Sequence, residues 1–173
     1  MVLLKIVFWV IAVLLVLFLL AVMPRMGHRK ARRDFLNKIY YAHRGLFDNE
    51  GDAPENSMEA FRRAADAGYG MEMDVQITKD GVPVVFHDFT LKRMCGKEGK
   101  VCDYTWQELK EMKLGKSRET IPLFADVLKT VGGRVPLIVE IKVEWMDLRI
   151  CPAADGLLRG YQGLYCIESF NPL

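Results

Sequence analysis

The chain has 173 residues, with 24 Lys and Arg against 22 Asp and Glu and a formal net charge of +2. That balance gives no general reason to expect a polyanion, so nucleic acid is not an expected partner, and no protein partner is implied either. The length leaves room for one domain plus a short appendage.

The appendage comes first. From Ile6 to Met23 the sequence IVFWVIAVLLVLFLLAVM runs 18 residues without a charge. At 1.5 Å per residue that is roughly 27 Å of helix, close to the thickness of a bilayer's hydrocarbon core. Ala21-Val22-Met23-Pro24-Arg25 lacks the small-residue spacing of a signal-peptide cleavage site, so residues 1–24 are expected to be a retained transmembrane anchor. Arg25, Arg29, Lys30, Arg32 and Arg33 follow in a basic linker over 25–38, while Lys5 alone precedes the span. Excess Lys and Arg marks the cytoplasmic flank, which predicts a single-pass membrane protein with residues 39–173 facing the cytoplasm. The same basic run suits anionic head groups. Cys95, Cys102, Cys151 and Cys166 form no C-x-x-C pair and are expected as free thiols in that compartment.

Beyond the linker, strand-like and helix-like segments alternate. The strands are expected at Ile39–His43, Gly70–Ile77, Val82–His87, Leu137–Lys142 and Leu164–Ser169. A helix between the first two has Asn56 as its N-cap, Glu59 at its third position and Gly68 as a left-handed stop. Thr105-Trp106-Gln107-Glu108 reads as a capping box opening a helix that runs to about Gly115. Phe124, Val127, Leu128 and Val131 recur at helical spacing before Gly132-Gly133 ends the run. Such alternation predicts parallel β/α units, in either a doubly wound sheet or a β/α barrel.

The polar residues discriminate between those two. In Gly70–Ile77 the side chains of Glu72, Asp74 and Gln76 share one face, and Met71, Met73, Val75 and Ile77 the other. Two carboxylates side by side on a buried face repel and resist desolvation unless a hard cation sits between them. In Leu137–Lys142, Ile138, Glu140 and Lys142 share a face, which makes Glu140 a third candidate ligand and Lys142 a holder of an anionic substrate. His43 and His87 both end strands, as a general acid and base working near neutral pH would, with Arg44 beside the first. His28 lies in the basic linker and is read as solvated. Carboxylates, histidines and cations gathered at strand ends fit a β/α barrel and the cleavage of a phosphate ester.

At these residues the sequence resembles a known family. His43-Arg-Gly45, Pro54-Glu-Asn-Ser57, Glu72-Met-Asp74, Lys79-Asp-Gly-Val-Pro-Val-Val-Phe-His-Asp88, Glu140-Ile-Lys142 and Ser169-Phe170 are similar, in order and spacing, to the motifs of glycerophosphodiester phosphodiesterases. The likeness runs from Tyr40 to the C-terminus. It implies a TIM-type barrel and metal-dependent hydrolysis of glycerophosphodiesters to sn-glycerol 3-phosphate and an alcohol. In related enzymes a substrate hydroxyl attacks phosphorus and water opens the cyclic product. Carried over by position, Glu72, Asp74 and Glu140 match the ligands of Ca²⁺ or Mg²⁺, His43 and His87 the acid–base pair, and Arg44 and Lys142 the phosphate contacts. Glu55 and Asn56 fall in a family motif and are candidates for support behind the ligands.

A TIM barrel needs eight β/α units and about 250 residues. Five expected strands therefore describe an α/β fold that stops after the fifth strand, an incomplete domain over 39–173. Two further readings stay open: a related phospholipase C or sphingomyelinase D-like phosphodiesterase, and an inactive membrane-tethered fragment.

Overall fold

Strand β2, Gly70–Ile77, is buried along its whole length because neighbours cover it on every side. In the computed structural model, which describes residues 2–22, 34–144 and 146–171, β1 (Tyr41–Ala42) and β4 (Leu137–Ile141) run parallel to β2, and β5 (Tyr165–Glu168) runs parallel to β4. The order is β1-β2-β4-β5. β3 (Pro83–Val85) does not continue the parallel series. It pairs antiparallel with the end of β2, Val85 opposite Val75 and Pro83 opposite Ile77. The reason lies in the connection: Thr78 to Val82 is a tight turn, closed by Thr78 Oγ1 accepting from the Val82 N–H at 2.9 Å, whereas a parallel crossover needs about a dozen residues. Four parallel strands and one hairpin strand therefore replace the five β/α units expected. The sheet is α/β and consistent with a TIM-type fold, open rather than closed among the described residues.

Helices cover the outward face of the sheet. Helix α2 is Met58–Asp66, α5 is Phe124–Val131 and α6 is Ile150–Leu158, with the short α3 (Lys92–Cys95) and α4 (Trp106–Leu109) between α2 and α5. The N-cap of α2 is Ser57, not Asn56; its Oγ accepts from the Ala60 N–H at 3.1 Å. Glu59 is accordingly the second helical residue. The expected capping box exists at Thr105 and Glu108, but the helix it opens ends at Leu109. Helix α5 matches its expected face and stops at Gly132 in the left-handed conformation, φ 58°.

Met71, Met73, Val75 and Ile77 of β2 and Leu137, Val139 and Ile141 of β4 pack under Phe61, Phe124, Val127, Ile150 and Leu158. A second cluster of Val84, Phe86, Leu91, Leu109, Leu114 and Ile121 gives the segment between β3 and α5 its own apolar anchor. The inward face carries the alternate set. Register places Tyr41 beside Gly70, Glu72 beside Ile138, Asp74 beside Glu140, and Glu140 beside Glu168. The Tyr41 ring occupies the space where a Gly70 Cβ would stand, 2.6 Å from its nearest ring carbon.

The described residues up to Asp34 form a separate unit. It contains α1, Val2–Val22, 21 residues with Lys5 as its one charge. Its side chains from Leu4 to Leu20 are nearly all exposed. Among the described residues no helix is long and apolar enough to cross a membrane, so the transmembrane expectation finds no support in the fold. The basic residues Arg25 to Arg33, and His28, lie outside the described residues.

Candidate active site

β2 and β4 are locked in register by the ladder that places Asp74 beside Glu140, and their inward carboxylates converge. Glu72, Asp74 and Glu140 each offer an oxygen within 4.8 Å of the others, and all three are buried. Lys142 follows β4, its N–H bonding Val75 O at 2.9 Å. Its Nζ lies 2.8 Å from Glu140 Oε1 and 3.1 Å from Asp74 Oδ1. The Asp74 contact is an ion pair without hydrogen-bond alignment, and Asp74 Oδ1 is buried with no hydrogen-bond partner.

One ammonium does not balance this cluster. Burial above all, then the Asp74 charge and more weakly Glu140 and Glu168, push Glu72 up to about 7, although the Arg44 N–H bond opposes the shift. Lys142 stays charged: burial disfavours its charge, but its pairs with Glu140 and Asp74 hold its pKa above the usual lysine range. An acceptor-only oxygen facing two more carboxylates in a buried place is the donor set of a hard divalent cation. The residues present fit such an ion.

The end of β1 supplies the opposite wall. Arg44 adopts φ 57°, which turns its N–H onto Glu72 Oε2 at 3.0 Å. Its guanidinium reaches Glu55 Oε1 at 2.9 Å and comes within 3.5 Å of Asp74 Oδ2. His43 beside it is open to solvent, 67% exposed, with Nε2 3.8 Å from Glu72. His87 arrives differently from expectation. It does not end a parallel strand; the β3 hairpin carries it back along β2, where Phe86 N–H bonds Asp74 O at 2.9 Å. Buried Gln76 fixes this return by offering its Nε2 hydrogens to the carbonyls of Phe86, His87 and Asp88 at 2.7, 3.2 and 2.8 Å.

All seven expected residues thus stand along the inward face or at its rim, with Glu55 and Asn56 behind them. Asn56 holds Asp74 rather than a helix end. Sequence reasoning missed four participants. Gln76 was legible, since it shares the inward face with Glu72 and Asp74. Glu168 follows from the same alternation on β5. Asp88 and Arg93 had no periodic signal, because they sit in a loop and a single helical turn.

A model of the "Glycerophosphoryl diester phosphodiesterase family" matches residues 43–154. The chain belongs to the glycerophosphoryl diester phosphodiesterase family. A glycerophosphodiester phosphodiesterase of Bacillus altitudinis is 40% identical over 116 residues, 63% of this chain and 46% of that protein. Among solved structures, an Oleispira antarctica phosphodiesterase in complex with the product sn-glycerol-3-phosphate aligns at TM-score 0.69 and 30% identity, covering 77% of this chain and 57% of that one. The glycerophosphodiester phosphodiesterase of Thermotoga maritima aligns at TM-score 0.61 and 34% identity, covering 77% and 54%. The chain therefore spans about half the length of the family members it matches. The family match begins at His43 and takes in every residue of the site described above except Glu168.

Proposed function

We propose that this chain is a divalent-cation-dependent phosphoric diester hydrolase that cleaves glycerophosphodiesters to sn-glycerol 3-phosphate and an alcohol, built on the first strands of a TIM-type barrel. The observation that carries the reading is the convergence of Glu72, Asp74 and Glu140 within 4.8 Å, with Lys142 against them. Related proteins support it by name, and the Oleispira relative by its bound product.

In this reading Glu72, Asp74 and Glu140 hold Mg²⁺ or Ca²⁺, which when bound supplies charge stabilisation to a phosphoryl oxygen. Arg44 and Lys142 bind the remaining phosphate oxygens; guanidinium and ammonium both match that charge. His43 and His87 divide the proton work. One takes the proton from the attacking hydroxyl and the other gives a proton to the leaving alkoxide. The exposure of His43 suits the side where the alcohol departs. Asn56 and Glu55 keep Asp74 and Arg44 in place.

We further propose that α1 and the basic residues after it attach the chain to a membrane, with the domain on the cytoplasmic side. The support is the apolar, exposed surface of α1 and the excess of Arg and Lys from Arg25 to Arg33 over Lys5. Protease added to intact spheroplasts expressing the full chain should leave the domain uncut; digestion without lysis would reverse the orientation.

The hydrolase reading is tested by incubating the full chain with glycerophosphocholine, Mg²⁺ or Ca²⁺, and intact phosphatidylinositol or sphingomyelin in parallel. Release of glycerol 3-phosphate that chelator abolishes is the expected result. Cleavage of the intact lipids alone would favour a phospholipase or sphingomyelinase, and no cleavage of any would leave a tethered fragment.

A further inference from the structure

A guanidinium that sequence periodicity does not reveal ties the two ends of this site together. Arg93, on the single turn Lys92–Cys95, faces two carboxylates at once. Its NH1 and NH2 donate to Glu55 Oε2 and Oε1 at 3.0 and 2.6 Å. Its Nε and NH2 donate to Asp88 Oδ2 and Oδ1 at 2.7 and 2.9 Å. Both contacts are two-pronged, a geometry that the planar guanidinium fork makes and an ammonium cannot.

Each carboxylate passes the constraint onward. Asp88 Oδ1 lies 2.6 Å from His87 Nδ1. Arg93 before all else, with His87 adding, holds Asp88 down to about 2, so it is ionised and can only accept. The proton in that contact therefore belongs to His87 Nδ1, which leaves Nε2 with its lone pair free of Asp88. On the other side Glu55 Oε1 accepts from Arg44 NH1 at 2.9 Å, and Asn49 Nδ2 donates to Oε2 at 3.1 Å. Burial alone would raise Glu55, but the bonds from Arg93 and Asn49 and the charges of Arg93 and Arg44 bring it to about 2. Glu55 is only 5% exposed.

We propose that Arg93 is a positioning residue with two outputs: through Asp88 it sets the tautomer and orientation of His87, and through Glu55 it sets the Arg44 guanidinium. Its kinetic consequences rest on the hydrolase reading above; its effect on His87 does not. A residue that acts only through these two limbs has separable signatures. Loss of the Asp88 limb disturbs proton transfer and hence turnover. Loss of the Glu55 limb loosens phosphate binding and hence KM.

The test uses the full chain in detergent micelles, with Mg²⁺ and glycerophosphocholine for kinetics and ¹⁵N-labelled histidine for imidazole NMR. Asp88→Asn can turn its amide to donate to Nδ1, stabilising the other tautomer, as an Asp-to-Asn change does in a serine-protease triad. It should lower kcat by about 100-fold or more, with KM changed by less than about threefold. Glu55→Gln should raise KM about tenfold, the scale of one charge-assisted contact, with a smaller change in kcat. Arg93→Lys should show both effects, since one ammonium cannot make both forks. Arg62→Ala, which removes a surface pair with Glu59, should change neither. In the NMR experiment His87 should carry its proton on Nδ1 in the wild type and lose that preference in Asp88→Asn and Arg93→Lys. An unchanged His87 tautomer in both variants would overturn the proposal, whatever the rates. A wild type without hydrolysis would overturn the hydrolase reading alone, because the tautomer measurement needs no turnover.

Discussion

Asn56 grips Asp74 from two sides: its Nδ2 donates to Asp74 Oδ2 at 2.8 Å, and its Oδ1 faces the Asp74 N–H at 3.5 Å. It does so from the left-handed region, φ 56°, almost wholly buried, with its own N–H bonded to Arg44 O at 3.0 Å. Asparagine is among the few side-chain-bearing residues that tolerate this backbone, and it alone among them both donates and accepts with one short amide.

Replacing Asn56 with Ala leaves a buried carboxylate oxygen short of a donor, at about 1–3 kcal/mol, and keeps a strained backbone without compensation, at about 1 kcal/mol. The urea midpoint of the full chain should fall accordingly. Asn56→Gly should recover the backbone part. Equal stability of Ala and Gly variants would show that the left-handed conformation carries no cost here.

Mg²⁺ or Ca²⁺ should raise the thermal midpoint of the chain, by an amount equivalent to about 2.7 kcal/mol when the ion is at 100 times its dissociation constant. Asp74→Asn and Glu140→Gln should abolish most of that rise. Na⁺ at matched ionic strength serves as the control, and an equal shift with Na⁺ would reduce the effect to screening.

Acid sensitivity should centre on Glu55 and Asp88. Both sit at about 2 in the fold, below ordinary values of 4.5 and 3.8. Depressed carboxylates stabilise the folded state fully above their unfolded pKa, and that contribution is lost as pH falls through the folded one. Stability should therefore decline between about pH 5 and pH 2, by roughly 2–3 kcal/mol in all since one guanidinium serves both groups. Denaturant midpoints taken across that window should show the slope in the wild type and a flatter one in Arg93→Ala.

His43→Ala and His87→Ala should each reduce kcat about 100-fold or more, within the range that positioned proton transfer supplies. Calcium binding measured by calorimetry should persist in both. A histidine whose removal spares turnover has a structural duty only.

Much of this was legible because strand alternation is a two-residue rule. Glu72, Asp74 and Gln76 had to share a face, and burial of that face made the carboxylates conspicuous. The hairpin at β3 was not read, since Val82–His87 looks apolar enough for a central strand; only the short Thr78–Val82 link betrays it. Asn56 reads as a helix cap because Asn and Ser are equally good caps, and adjacency of the two leaves the choice to tertiary contacts. Arg93 was invisible for a deeper reason. Its partners lie 38 and 5 residues away, and no local pattern encodes such distances.

The Tyr41 ring resting in the place of a Gly70 side chain makes those two positions one shared volume, unequally divided. Any gain in bulk at 70 must be matched by a loss at 41, so mutational effects there will be epistatic: Gly70→Ala harmful in the native background, milder once Tyr41 is made smaller. Because Gly70 lies two residues before Glu72 on the same face, that trade also sets how deep the floor lies beneath the carboxylates. Drift at the least conspicuous residue of β2 would thus retune the chamber above it.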